Sequence, residues 1–80
     1  MDQKFKFPKS FIKNDIEGLS NAQLCEDALT AWDHCCMKVE LPKTFGETMA
    51  KIAGKLNVLG TSESFIEWSK QYLENTEKND

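Results

Sequence analysis

Apolar residues recur at helical spacing through most of the chain, from residue 10 to residue 73. Ile12, Ile16 and Leu19 fall at i, i+4 and i+7, one face of a short first helix. Ser10 can cap that helix, and Gly18 weakens its end near Leu19. A longer stripe follows in Leu24, Cys25, Ala28, Leu29, Trp32, Cys35, Cys36 and Val39. Asp27, Asp33, His34 and Lys38 lie off it, on the expected polar face. Ser20 and Gln23 have capping-box spacing, with Asn21 as an alternative cap. Glu26 and Asp27 sit in the early turns, where acids suit the helix dipole. Pro42 ends the helix at or before Leu41, because proline disfavours helix in its own residue and the one before. This second helix is expected to be the longest, with Leu29 and Trp32 in the core.

Thr44 and Glu47 form a second capping box. Phe45, Met49, Ile52, Ala53 and Leu56 then repeat on one face, and Asn57 or Gly60 can end the helix. Thr61 or Ser62 opens a fourth helix. Its apolar face is Phe65, Ile66, Ser69, Tyr72 and Leu73, with Trp68 on the flank. At the start of the chain Phe5 and Phe7 alternate with Lys4 and Lys6 before Pro8. That alternation predicts an extended arm with both phenyl rings on one side. The expected fold is all-α: a compact bundle of about four short helices. An N-terminal arm (1–9) precedes one helical domain (10–74), and a polar tail (75–80) follows that should fray.

Composition adds limits. Eighty residues make one small domain of modest core, with five Phe, two Trp and one Tyr to fill it. Net charge is −3, arranged in blocks of +3 (1–13), −5 (14–40), +2 (41–60) and −3 (61–80). Alternating blocks favour internal pairing or self-association over a broad nucleic-acid surface. No apolar run approaches the roughly 20 residues that cross a bilayer. An odd number of cysteines and no secretory leader pattern lead us to expect a reducing, cytoplasmic setting.

The tetrapeptide Asp33, His34, Cys35, Cys36 invites a metal or catalytic reading. Consecutive helical residues diverge by about 100°, so these side chains do not converge on one ion. Cys25 and Cys36 are separated by about 16 Å of helix axis, too far for a disulfide. The cysteines are expected to be buried structural residues, with no metal and no cofactor. A thiol enzyme needs a base beside its nucleophile, and the one histidine falls on the opposite face. No phosphate-binding glycine loop or catalytic carboxylate pair is present, so we expect no enzyme activity and no catalytic residues.

The paired patterns over residues 44–73 suggest a helix-turn-helix. Lys51, Ile52, Ala53, Leu56 and Val58 precede a helix opening with Ser62 and containing Ile66 and Trp68. This resembles the paired helices of small phage and transposon DNA-binding domains. The resemblance implies DNA contacts by Lys51, Lys55, Lys70 and Gln71. The sequence departs from that pattern in a long turn, Leu59 to Thr61, and in Glu63 and Glu67 on the would-be recognition helix. There is no arginine, and phosphate binding by a net acidic chain starts at a disadvantage.

The favoured expectation is therefore a small non-enzymatic adaptor or regulator that binds another protein. Compact viral and accessory proteins fit that description. Its expected surface is Glu67, Trp68 and Gln71, because tryptophan is a preferred interface anchor. Self-association is a further expectation. The helix-turn-helix DNA-binding regulator is the alternative.

Overall fold

The computed structural model describes residues 6–37 and 40–78, the side chains of 77 and 78 excepted. The fold is all-α. Its helices are α1 (Lys9–Lys13), α2 (Asn21–Cys36), α3 (Phe45–Leu56) and α4 (Ser62–Lys78), with no strand among the described residues. None of these helices is long and apolar enough to cross a membrane. The expectations for Lys4, Phe5, Lys38 and Val39 lie outside the described residues.

α1 is shorter than its sequence pattern suggests. It begins after Pro8 and ends where Asn14 turns left-handed at φ 54°. Ser10 is not its cap but a buried residue inside it. The C-terminal Asn14 is held from α3 at three points. Its amide donates to Glu47 Oε1 at 3.1 Å, its Oδ1 accepts from Thr48 Oγ1 at 2.8 Å, and its carbonyl accepts from Lys51 Nζ at 2.8 Å. These bonds explain why the capping box expected at Thr44 and Glu47 does not form. Thr44 makes no side-chain cap and instead donates to the Phe11 carbonyl at 3.4 Å, while Glu47 turns to Asn14. Partners distant in sequence outcompete the local cap.

α2 starts as expected, with Ser20 Oγ accepting from the Gln23 amide at 3.1 Å. It stops at Cys36, well before Pro42, and at 16 residues it is one shorter than α4. Its buried face is also rotated. Leu24, Cys25, Asp27, Ala28, Ala31 and His34 are buried, while Leu29 and Trp32 pack on the core from its rim and Cys36 is exposed. At 100° per residue the buried arc is turned by about 80° from the apolar stripe. The cause is two-sided packing. On one side Cys25 meets Ser69 of α4. On the other, Asp27 accepts from Ser10 Oγ at 2.8 Å, and His34 sits edge-on to Phe7 with ring centroids 4.8 Å apart.

The core is Phe11, Leu24, Ala28, Ala31, Met49, Ile52, Phe65 and Ile66. α2 packs chiefly on α4, where the small residues Ala28, Ala31 and Ser69 are fully buried and permit close approach. Phe45 joins α3 to the rest of the molecule. Its ring lies 5.6 Å from Phe11 and 6.4 Å from Phe7. The face expected for α4 is the one it buries: Phe65, Ile66 and Ser69 are inside, and Tyr72 and Leu73 are half-buried. Thr61 caps α4, its Oγ1 accepting from the Ser64 amide at 3.2 Å. The helix continues through Thr76, whose hydroxyl donates to the Tyr72 carbonyl at 2.9 Å, and reaches Lys78.

Candidate functional site

α4 carries its exposed chemistry in two side-chain pairs, each spaced i, i+4. Trp68 and Tyr72 stack almost flat, 5.4 Å apart with 11° between their planes. Beside them Gln71 Nε2 donates to Glu67 Oε2 at 3.4 Å, on the exposed side of the helix. Trp68 keeps 37% of its surface in solvent, although Phe65 and Ser69 on either side of it are buried. The helix period places Phe65, Trp68 and Tyr72 along one line of α4, so the aromatic surface continues from the core outward. The outer face around it is acidic. Glu63, Glu67, Glu74 and Lys70 are exposed on that outer face, and of the three acids Glu67 lies nearest to Trp68 round the helix. The expected surface of Glu67, Trp68 and Gln71 is thus assembled on a single edge of α4.

The four residues implied by a helix-turn-helix reading are spread over two helices. Lys51 is tied to the Asn14 carbonyl, on the α1 side of α3. Lys55 is exposed in the last turn of the same helix, one turn further along the same flank. Lys70 is exposed on α4, and Gln71 is engaged by Glu67.

Between α3 and α4 lies an open groove of about 420 Å³. Phe45, Met49, Ala53, Val58 and Phe65 contribute its apolar lining. Gly46, Ala50 and Gly54, at i, i+4 and i+8, form a smooth wall on α3. Leu59 stands at its lip and is 89% exposed. No charged residue lines this groove. Sequence periodicity named Phe45, Met49 and Ala53 on the apolar face of α3 but not the glycine–alanine–glycine line beside them that completes this groove.

Two buried polar centres also escaped the apolar pattern. Asp27 is 8% exposed and has both carboxylate oxygens engaged, Oδ2 by Ser10 and Oδ1 by Gln23 Nε2 at 2.9 Å. His34 is 6% exposed, and its Nε2 lies 3.2 Å from the Lys6 carbonyl. A carbonyl only accepts, so this contact places a proton on Nε2. Both centres fasten the N-terminal segment and α1 to α2. Among the described residues, no group of three or more His, Cys, Asp or Glu side chains converges as a metal site.

The three thiols are free and occupy graded environments: Cys25 buried, Cys35 half-buried, Cys36 exposed. The expectation of three buried cysteines therefore holds in full only at Cys25: Cys35 is half-buried, and the rotation of α2 turns Cys36 outward. Burial pushes the Cys25 thiol above its ordinary 9.0, and the neighbouring Ser69 hydroxyl pulls it part of the way back. Ser69 Oγ itself has no conventional hydrogen-bond partner. A raised thiol pKa in the folded state favours the neutral form. Its contribution to stability is complete below the unfolded pKa and fades as pH rises through the folded one. At neutral pH Cys25 is thus a shielded thiol rather than a nucleophile. Timed alkylation followed by peptide mass spectrometry should label Cys36 first, Cys35 next and Cys25 only on unfolding. Labelling of Cys25 at the rate of Cys36 in folded protein would contradict its burial.

No known family model, curated protein or solved structure matches this chain significantly.

Proposed function

We propose that the protein is a small non-enzymatic helical adaptor or regulator that binds another protein through the edge of α4 carrying Glu67, Trp68 and Gln71. The observation that carries this reading is the Trp68–Tyr72 stack, partly exposed and held flat. An aromatic anchor fixed before binding loses little side-chain entropy when a partner covers it. Glu67, beside Trp68 on this edge, and the net acidic outer face of α4 give the partner its expected character: a basic surface able to cover an indole. The same acids disfavour a phosphate backbone. Three free thiols suit the cytoplasm as the setting.

The experiment is affinity capture from the native host with wild-type and Trp68→Ala baits, accompanied by a melting curve for each. We expect the variant to keep its helical fold, with a loss of about 1–2 kcal/mol because the indole is already partly in water. Its captured partner should be lost or at least tenfold depleted. A folded Trp68→Ala bait that captures the same partner equally well removes this edge as the binding surface.

A further inference from the structure

We infer that the α4 edge reads an arginine: the guanidinium of a partner's arginine lies flat on the Trp68 indole while Glu67 and Gln71 accept its N–H groups. This rests on the reading of that edge as the binding surface, and it names the side chain that the edge takes.

The rings select a planar cation. Trp68 and Tyr72 lie 11° from parallel with centroids 5.4 Å apart. Rings stacked in this way form a platform and leave no space between them for an ion. A rounded ammonium group is held best by rings that enclose it from several sides, as in an aromatic cage. A flat surface instead matches a flat ion. Guanidinium is planar and more weakly hydrated than ammonium, so it leaves water for an aromatic face more readily. Tyr72 occupies one side of the indole, and Trp68 keeps 37% of its surface in solvent for the arginine to meet.

The acceptors border the platform. Gln71 is three residues from Trp68 and its neighbour on the helix surface. Its Nε2 donates to Glu67 Oε2 at 3.4 Å, which leaves Gln71 Oε1 and Glu67 Oε1 to accept from a newcomer. Guanidinium carries five N–H donors in one plane, so its edge serves both acceptors while its face lies on the ring. The carboxylate of Glu67 supplies the complementary charge. This chain cannot fill the site itself or in a second copy, because it contains no arginine. Lys70, the nearest cation in sequence, lies about 160° round α4 from Trp68. The occupant is therefore an arginine of a different protein.

Proton NMR of the full chain tests this, with a blocked tripeptide holding arginine between two glycines as the probe and the Trp68 indole N–H as the readout. The signal should shift, with half-saturation in the millimolar range of a single exposed contact. The matching lysine tripeptide should bind more weakly by about threefold or more, the scale of an exposed cation–π contact. The citrulline tripeptide, alike in shape but uncharged, should give no shift. Glu67→Gln should weaken the arginine peptide by a similar factor while circular dichroism stays unchanged, since Glu67 is exposed. An unmoved Trp68 signal overturns the inference. So does equal binding of the lysine or citrulline peptide, or indifference to Glu67→Gln. The two readings fail separately. Loss of the captured partner in Trp68→Ala, with no shift by the arginine peptide, overturns the arginine assignment alone. A shift by the arginine peptide, with capture undiminished in Trp68→Ala, overturns the partner surface and leaves the guanidinium site standing.

Discussion

Phe11→Ala should be among the most destabilising single substitutions in the molecule. Phe11 is fully buried although it belongs to a helix of only five residues. So short a helix has no stability of its own, and what holds it is packing. The ring tilts against Phe45, and the Phe11 carbonyl receives Thr44 Oγ1, so one residue links α1 to the start of α3. Truncating a buried phenylalanine costs about 3–5 kcal/mol. A domain of this size has about 4–12 kcal/mol in all at 0.05–0.15 kcal/mol per residue. Urea unfolding should therefore show either a large fall in midpoint or a variant unfolded in buffer. A loss below about 1 kcal/mol would mean that α1 does not carry the core contact described.

Asp27→Ala should come next, at about 1.5–3 kcal/mol, the range for hydrogen bonds to a charged group. The substitution removes the acceptor of Ser10 Oγ, and Ser10 is only 3% exposed. A buried hydroxyl left without a partner bears its full desolvation cost. The Gln23 amide is exposed and can return to water, so the loss concentrates on Ser10. A double-mutant cycle of Asp27→Ala with Ser10→Ala should give a coupling of at least about 1 kcal/mol. Additive effects would show that the 2.8 Å contact contributes little.

These two sites show where sequence periodicity carried and where it stopped. α4 was legible because its apolar positions face one partner layer, so the 3.6-residue period alone locates Phe65, Ile66 and Ser69 inside. α2 was legible as a helix but not in rotation. It packs against α4 on one flank and the N-terminal segment on the other, and the second flank is lined by Asp27 and His34. A polar residue buried through a partner 17 or 28 positions away leaves no signal in a local pattern. The same reason accounts for Thr44 and Glu47. Their spacing is that of a cap, yet Phe11 and Asn14, each 33 positions distant, engage them instead. Ile12 was read with Ile16 and Leu19 as one apolar face; Ile16 and Leu19 pack against the core, but α1 ends at Lys13, so the three do not share a helix face and Ile12 is 56% exposed.

The candidate surface was legible for a related reason. Trp68 sits at the margin of the apolar arc, where the period itself leaves a side chain between core and solvent. What the sequence could not supply was the parallel stacking on Tyr72, which depends on both rotamers. The groove was invisible because it is a property of two helices and the turn between them.

The central claim is that Trp68 is the anchor of a protein-binding edge on an otherwise stable helical domain. The chain has two tryptophans, and their indole N–H signals can be followed separately by proton NMR once Trp68→Ala assigns them. Titration with the captured partner should shift or broaden the Trp68 signal while that of Trp32, which packs against the core on α2, stays in place. A partner that binds while the Trp68 signal remains unmoved would contradict the account.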